Sequence, residues 1–289
     1  MMHACVKFKG VSSKDHVLLY PDIRPPVKWH GGKFYLCEWI IDHFLPHSTY
    51  VEPFGGAASV LLNKEPATVE IYNDLDGRIT RLFRVIRNHG EEFQRRMTLT
   101  PYSEVEFELD ENPPSDTEPN DEIELARRDF VRWRQSIGGR GISFSLTLHR
   151  VRRGMADVVS GYLSSIDEQL PLITQRLRSV QIMSSPAIEV IEKWDSENTL
   201  IYCDPPYVHE TRASNSRDLY GVELTADDHR LLAKTLNRCK SKVILSGYPS
   251  PLYNELYGSW RQEKMEIANH SASGASKAIK EETLWMNWK

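Results

Sequence analysis

Short apolar runs that end in polar or glycine-rich tips recur along the first ninety residues. Residues 49–56 read TYVEPFGG, and residues 68–76 read TVEIYNDLD. Each run is followed by a segment with helical spacing of its apolar residues, AASVLLNK at 57–64 and GRITRLFRVIRNHG from Gly77. An order of strand, turn and helix that repeats in this way predicts a parallel, doubly wound α/β sheet.

The same pattern returns in the second half of the chain after an interruption. Three further segments there have the character of strands: NTLIYCD at 198–204, KVILSG at 242–247 and TLWMNW at 283–288. The intervening residues, about 90–158, lack this order. The sequence therefore predicts one sheet domain made of residues 1–89 and 159–289, with residues 90–158 inserted into it as a mainly helical unit.

Charge is distributed unevenly within the predicted insertion. From Glu104 to Glu124 there are ten acidic residues and no lysine or arginine, which predicts a loop and indicates no function. From Arg127 to Arg153 eight arginines face the single Asp129. Such a stretch is often a solvated helix face. Its arginines are interleaved with aromatic residues and turn glycines, however, which favours a grip on the phosphates of DNA. The arginines assigned to this contact are Arg132, Arg134, Arg140, Arg150, Arg152 and Arg153, with Arg140 nearest the bases.

Composition restricts the class of protein without naming a partner. The net charge of −4 carries no global sign of nucleic-acid binding. The four cysteines form no CxxC pair and the ten histidines have no metal-ligand spacing, so we expect reduced thiols and no metal. No apolar stretch approaches the roughly 20 residues that span a bilayer, and the first residues lack the apolar core of a signal peptide. We expect a cytoplasmic protein without a membrane partner.

The stretch LIYCDPPY at 200–207 carries the sharpest chemical signal. A rigid turn is one interpretation, since two prolines forgo ladder hydrogen bonds. The other starts from an amine on an aromatic ring, whose lone pair is delocalised into the ring. Hydrogen bonds to the carboxylate of Asp204 and the carbonyl of Pro205, held still by Pro206, would free that lone pair. Tyr207 would offer a face on which a flipped base stacks.

Two other segments suggest a ligand site at the carboxyl ends of the predicted strands. VEPFGG is a tight strand-to-helix turn whose glycines would let a ligand approach the backbone. Asp74, at the tip of the next strand, has the place of an acid that binds a ribose, although it would also suit the N-cap of the following helix. In KWHGGK, Lys33 would serve as a cation for a carboxylate or phosphate, and Trp29 as a stacking wall.

The segments KWHGGK, VEPFGGAASV, YNDLD, IYCDPPY and KVILSGY, in this order, resemble the adenine-specific DNA methyltransferases of the Dam family (D12, class alpha). The resemblance covers nearly the whole chain, and the insertion falls where that family carries its target-recognition domain. It implies a Rossmann-like sheet and the transfer of a methyl group from S-adenosylmethionine to the exocyclic amine of a flipped adenine in duplex DNA. The product would be S-adenosylhomocysteine, and no metal would be needed.

The resemblance also implies roles for individual residues. The cofactor would be bound by Trp29, Lys33, Phe54, Gly56, Ala57, Ser59 and Asp74, with Lys33 near its carboxylate and Asp74 on its ribose. The catalytic pocket would be formed by Asp204, Pro205, Pro206 and Tyr207. One departure concerns the cofactor's adenine: many family members have a carboxylate near the position of Pro186, and here the backbone or Ser185 would replace it.

Other functions stay open at this point. The same chemistry could act on RNA or on the amino group of cytosine, although Asp204 favours adenine, since cytosine enzymes more often have serine there. A catalytically inactive DNA-binding paralogue is a second alternative. Four intact residues argue against it: Lys33, Asp74, Asp204 and Tyr207. The sequence leaves open the DNA recognition site, a cognate restriction enzyme in a restriction-modification pair, and the choice between a monomer and a weak dimer.

Overall fold

The computed structural model describes residues 22–29, 31–109, 121–147, 149–207, 224–268 and 279–289. Its strands are β1 (Thr49–Glu52), β2 (Val69–Asn73), β3 (Val151–Arg152), β4 (Met155–Ala156), β5 (Val180–Met183), β6 (Thr199–Cys203), β7 (Lys242–Gly247), β8 (Arg261–Ala268) and β9 (Ile279–Met286). Its α-helices are α1 (Cys37–Ile41), α2 (Ser59–Asn63), α3 (Gly77–Thr98), α4 (Glu104–Glu108), α5 (Glu122–Gln135), α6 (Asp157–Ser164), α7 (Leu170–Leu177), α8 (Ala187–Trp194), α9 (Ala226–Leu236) and α10 (Pro251–Tyr257).

Seven of these strands form one sheet in the order β5-β2-β1-β6-β7-β9-β8. The first five run parallel, β9 is antiparallel to β7, and β8 is antiparallel to β9. The chain builds outward from β1 to β5 on one side and then crosses to β6, so the topological switch point lies between β1 and β6. Ligands of open α/β sheets bind at that point, beside the carboxyl ends of the strands. The predicted α/β fold is confirmed.

Side-chain alternation along the strands divides the core into two layers. One hydrophobic cluster takes Tyr50, Leu200 and Ile244 from the sheet and packs them against α1, α2, α3, α5 and α7. The other takes the neighbouring residues, such as Val51 and Ile201, and packs them against α8, α9 and α10. The sheet is therefore buried on both faces, as a parallel sheet requires.

The sequence pattern misses two strands of the seven-stranded sheet, both at its edges, and the short β3–β4 hairpin. Among the described residues, β5 pairs only with β2, and β8 pairs only with β9. The sequence of β8 begins RQEKME, which is charged because an edge strand exposes one side to water and is protected by charge from pairing with other chains. A search for apolar runs therefore passes over it.

The described part of the predicted insertion shares its core with the sheet domain. Residue 90, its predicted start, lies inside α3, which continues to Thr98. Phe93 from α3 meets Phe130 from α5 edge to face at 5.9 Å between ring centroids. Both rings belong to the cluster that also contains Tyr72 of β2. A separate recognition domain at 90–158 stays a prediction.

The sequence predicts a loop at 104–124, but the described ends of this acidic segment are helical. Helix α4 begins at Glu104 and α5 begins at Glu122, while residues 110–120 lie outside the described part of the chain. Several of the described acids pair with arginines of α3 and α5: Asp121 binds Arg96 at 2.5 Å, and Glu106 and Glu124 both bind Arg127, at 2.7 and 2.8 Å. The ends of the acidic segment thus neutralise the start of the basic stretch.

No helix among the residues described is both long and apolar enough to cross a bilayer. The longest, α3, spans 22 residues, but its exposed face is rich in arginine and glutamate.

A buried network of charges joins β2 to two helices of one layer. Glu70 of β2 is fully buried and receives the guanidinium of Arg176 on α7 at 2.5 and 2.8 Å and the ammonium of Lys64 at 2.6 Å. Burial alone would raise the pKa of Glu70, but Arg176 and Lys64 outweigh burial and hold that pKa below its usual value. Arg176 also donates to the carbonyl of Leu61 at the end of α2. The network ties β2, α2 and α7 together.

Replacing Arg176 with methionine should therefore strongly destabilise the protein. Removing one partner of a buried ion pair leaves a charge without compensation and costs about 3–5 kcal/mol. The control is Arg230→Met, because Arg230 and Asp227 form an exposed pair on α9 that contributes at most about 1 kcal/mol. Urea unfolding followed by circular dichroism measures both losses, and equal losses would contradict the role given to Arg176.

Candidate active site

The carboxylate of Asp204 is held on both oxygens at the carboxyl end of β6. Lys33 Nζ lies 2.8 Å from Oδ2, and the hydroxyl of Ser246 on β7 donates to Oδ1 at 2.9 Å. The Ser246 oxygen also lies 3.0 Å from the hydroxyl of Tyr202. A carboxylate fixed in this way has a defined orientation, as an acceptor for one substrate group requires.

Tyr207 lies beside Asp204 and is anchored through its hydroxyl. That hydroxyl donates to Oε1 of Glu282 on β9 at 2.5 Å. The ammonium of Lys33 lies 4.9 Å from the Tyr207 ring centroid, and the ring of Tyr248 meets it edge to face at 4.6 Å. Burial, followed by the nearby charges of Asp204 and Glu282, raises the pKa of Tyr207 well above its usual value. Tyr207 therefore stays a neutral hydrogen-bond donor.

A cavity of about 450 Å³ lies over the switch point of the sheet. All of the predicted catalytic and cofactor-binding residues line it: Trp29, Lys33, Phe54, Gly56, Ala57, Ser59, Asp74, Asp204, Pro205, Pro206 and Tyr207. Arg132 and Arg140 of the predicted insertion line the same cavity. The structure thus brings together segments that are far apart in the sequence.

The glycine turn after β1 is shaped by close contacts that leave no room for side chains. A Cβ on Gly55 would come within 2.2 Å of the Tyr72 ring, and one on Gly56 within 2.6 Å of Trp29 Nε1. Gly56 also has a φ of +47°, a conformation that glycine adopts at low cost. Its N–H donates to Asp74 Oδ2 at 2.8 Å. The turn and the tip of β2 are therefore one unit in the cavity wall.

Asp74 is part of the cavity wall and is not the N-cap of the next helix. Its Oδ1 accepts from the N–H of Asp76, and Asp76 is the residue that caps α3 through the N–H of Arg78. Burial raises the pKa of Asp74, while hydrogen bonds from the backbone of Asp76 and Gly56 act in the opposite direction. The side chain lines the cavity, and its binding of a ribose stays a prediction.

The segment at Ser185 and Pro186, where a family carboxylate is missing, is held by Asn73. The Asn73 amide accepts from the N–H of Ser185 at 2.9 Å and donates to its carbonyl at 3.0 Å. It also donates to the carbonyl of Pro53 after β1. Asn73 therefore joins the ends of β1, β2 and β5 along one side of the cavity, and the backbone of Ser185 is already hydrogen-bonded.

The comparisons with known proteins agree with this geometry. The family model for the D12 class N6 adenine-specific DNA methyltransferases matches residues 29–272. The chain belongs to this family. It is therefore an adenine-specific DNA methyltransferase, as the resemblance predicts.

Several characterised relatives match most of this methyltransferase. A DNA adenine methylase of Haemophilus influenzae is 22% identical over 90% of this chain and 92% of its own length. The type II methyltransferase M.MjaIII of Methanocaldococcus jannaschii is 23% identical over 84% of this chain and 91% of its own. A DNA adenine methylase of Vibrio cholerae is 23% identical over 81% and 84%. The likeness extends over nearly the whole length of these relatives.

The arginines predicted to contact DNA occupy two kinds of position in the methyltransferase. Arg140, Arg150 and Arg152 are exposed, the first in a glycine loop after α5 and the others beside or within the β3–β4 hairpin. Arg153 is exposed but pairs with Glu168 at 2.5 Å.

The two predicted DNA-contact arginines that lie on α5, Arg132 and Arg134, have intramolecular contacts. Arg132 lies over the ring of Phe107 at 4.5 Å while it lines the cavity. Arg134 is half-buried and donates to the carbonyl of Gly161 at 2.5 Å. Burial, followed by the charge of Arg24, lowers its pKa to about 10. Arg134 joins α5 to α6, which makes it a weaker candidate for DNA contact than the exposed arginines.

Several residues of the site carry no signal that singles them out in the sequence. Glu282, Ser246 and Asn73 lie in strands, where the alternation of apolar and polar residues predicts that a polar side chain is exposed to solvent. Glu52 lies within VEPFGG, whose glycines are the stronger signal of a ligand site. Clusters of three or more side chains that could hold a metal do not occur in the part of the chain that the structure describes.

Glu52 is a buried acid in the cavity wall. It accepts a hydrogen bond from the Tyr50 hydroxyl at 2.6 Å and is 2% exposed. Burial raises the pKa of Glu52 to about 8, although the Tyr50 hydrogen bond and the charge of Lys64 oppose that rise. At neutral pH this side chain is therefore predominantly protonated.

The protonation of Glu52 predicts a pH-dependent contribution to stability. A glutamate in the unfolded chain has a pKa near 4.5, so between that value and about 8 the folded protein retains a proton that the unfolded chain has lost. The contribution of Glu52 to stability consequently falls as the pH rises through this window. Glu52→Gln cannot ionise, and its stability relative to wild type should rise by at least about 1 kcal/mol between pH 5 and pH 8. Urea unfolding at each pH tests this, and parallel curves for the two proteins would contradict it.

Proposed function

We propose that this enzyme transfers a methyl group from S-adenosylmethionine to the exocyclic amine of an adenine flipped out of duplex DNA. The observation that carries the proposal is the Asp204 carboxylate, held by Lys33 and Ser246 at the end of a cavity whose wall also contains Pro205 and Tyr207. This group of acceptors and an aromatic face suits a planar base that carries an amine.

The cavity suits the proposed cofactor. The cavity is lined by Asp74, whose carboxylate would accept hydrogen bonds from ribose hydroxyls, and by the aromatic ring of Trp29. It is also lined by a glycine turn in which a Cβ on Gly56 would clash with Trp29. Phe54, Ala57 and Ser59 continue the wall from β1 into α2. When bound, the cofactor supplies an electrophilic methyl group on a sulfonium sulfur.

The protein's task at the amine is orientation and hydrogen bonding. Asp204 and the Pro205 carbonyl accept hydrogen bonds from the amine, which draws its nitrogen toward tetrahedral geometry and localises the lone pair. Pro206 stiffens the backbone that presents the carbonyl. Tyr207 stacks on the base and keeps it in the plane that these acceptors require.

Lys33 has a protein partner in addition to the cofactor contact that the resemblance implies. Its ammonium binds the Asp204 carboxylate at 2.8 Å and the carbonyl of Gly31 at 2.9 Å. In the proposed enzyme Lys33 would therefore orient the catalytic carboxylate, and a cofactor carboxylate would come near it only as a further partner.

DNA would lie across the arginines of the predicted insertion. The glycine loop that carries Arg140 packs against the segment before Trp29, since a Cβ on Gly139 would come within 2.3 Å of the Lys28 carbonyl. Arg152 lies in β3 of the β3–β4 hairpin, and Arg150 immediately precedes that strand. Phosphate contacts from these side chains would position the duplex over the cavity.

A methyl-transfer assay tests the proposal directly. Labelled S-adenosylmethionine should deliver its methyl group to adenine in duplex DNA and not to RNA or protein. Asp204→Asn should lower the rate by about a hundredfold or more, because an NH2 group that cannot accept a hydrogen bond replaces one carboxylate oxygen and the negative charge is lost, while cofactor binding should fall far less. Label found on RNA or protein, or full activity of this variant, would refute the proposed function.

Charge reversal in the hairpin tests the DNA contact. Arg150→Glu with Arg152→Glu should weaken DNA binding and reduce the steepness of its salt dependence by about 2, because each phosphate contact contributes about 0.9 to that slope. The control is Arg261→Glu on the edge strand β8, where the arginine pairs with Glu263. Fluorescence anisotropy at several salt concentrations measures both slopes, and unchanged affinity and slope in the double variant would contradict the contact.

A further inference from the structure

The closing strand β9 brings a buried carboxylate beside residues that line the proposed catalytic pocket. β9 runs antiparallel to β7, so its residues before Thr283 extend past the carboxyl end of β7, where Thr283 pairs with Gly247. Glu282 is the next residue in that direction and is 1% exposed. Leu284 and Met286, on the same face of the strand, lie in the hydrophobic core. The chain thus changes from apolar to acidic at the level of the pocket.

Glu282 contacts two residues of the proposed catalytic machinery. It accepts the Tyr207 hydroxyl at 2.5 Å, and its Oε1 lies 3.9 Å from Lys33 Nζ. Lys33 therefore lies between two carboxylates, Asp204 at 2.8 Å and Glu282 at 3.9 Å. Glu282 holds the hydroxyl end of the Tyr207 ring. The ammonium of Lys33, which binds Asp204, lies over the face of the same ring.

We propose that Glu282 is a positioning residue for methyl transfer, which fixes the Tyr207 ring through its hydroxyl and shares the charge of Lys33 with Asp204. The inference rests on the proposed function. Because a base stacked on Tyr207 takes its orientation from that ring, an anchored hydroxyl sets the angle at which the amine meets Asp204. When the amine hydrogen-bonds to Asp204, Glu282 supplies a second carboxylate for Lys33, so its charge stays compensated.

The two functions of Glu282 can be separated by substitution. Glu282→Gln keeps an oxygen that accepts the Tyr207 hydroxyl but removes the charge beside Lys33, whereas Glu282→Ala removes both. Tyr207→Phe removes the hydroxyl and keeps the ring. The control is Glu281→Gln, the adjacent residue, which pairs with Lys264 on β8 and is 40% exposed.

Single-turnover methyl transfer on duplex DNA is the first measurement. Glu282→Ala should lower the rate at least tenfold with cofactor and DNA affinities within about threefold of wild type, Glu282→Gln should have an intermediate rate, and Glu281→Gln should stay within twofold. If both Glu282 variants transfer methyl groups at the wild-type rate, the positioning role is overturned. A wild-type protein that transfers no methyl group to adenine would instead refute the proposed function itself.

A spectroscopic readout separates positioning from a merely structural role. With 2-aminopurine at the target position, stacking of the flipped base determines the fluorescence of the complex. We expect Glu282→Ala and Tyr207→Phe to change this fluorescence alike, their combination to be no worse than either alone, and Glu282→Gln to match wild type. Fluorescence of the Glu282→Ala complex that equals wild type, or rate losses that add fully in the double variant, would overturn the proposed action through Tyr207.

Discussion

Side chains along a β-strand alternate between its two faces, and this constraint determines the composition of the pocket. Four adjacent strands place apolar residues in the same core layer and a polar residue two positions nearer the carboxyl edge of the sheet. The pairs are Tyr50 and Glu52, Tyr202 and Asp204, Ile244 and Ser246, and Leu284 and Glu282. The other three strands are parallel to one another, and β9 is antiparallel to β7. β9 therefore reaches this edge with its amino-terminal half. Packing of one hydrophobic layer therefore sets the height and direction of Glu52, Asp204, Ser246 and Glu282, and a one-residue slip of any of these strands would turn its polar residue to the other face.

Glu52, Asp204 and Glu282 lie at the same edge of the sheet, and the structure limits the repulsion between their charges in two ways. Asp204 and Glu282 share Lys33 and receive hydroxyl hydrogen bonds from Ser246 and Tyr207. Glu52, which has Tyr50 as its hydroxyl donor, is removed from the balance because burial raises its pKa to about 8 and keeps it protonated. An ionised carboxylate at Glu52 would repel the charge of Asp204 and raise the cost of burial. The neutral acid in the wall thus adds no charge beside Asp204.

The sequence predicts those parts of the fold and site whose signals are local. The parallel strands β1, β2, β6 and β7 are apolar runs with polar ends, and the prolines after Asp204 mark an unusual strand end within a single stretch. The partners that complete the site are not local. Lys33 and Asp204 are 171 residues apart, and Tyr207 and Glu282 are 75 apart, so no pattern within one segment can join them. The sequence pattern misses the edge strand β8 for a related reason. Its charged residues suit the edge of the sheet, where one side faces water, and that position depends on the whole fold.

The segment from Lys28 to Lys33 connects all parts of this enzyme. The carbonyl of Lys28 lies against Gly139 in the arginine loop, Trp29 packs at 5.5 Å from the ring of Trp133 and against the glycine turn, and Lys33 orients Asp204. These contacts join the predicted DNA-binding loop, the wall of the cavity and the Asp204 carboxylate within six residues of chain. Because a Cβ on Gly139 would come within 2.3 Å of the Lys28 carbonyl, the arginine loop packs against this segment with no room for a side chain between them. If DNA contacts the loop as proposed, its contact surface and Asp204 are therefore linked through one short, closely packed segment.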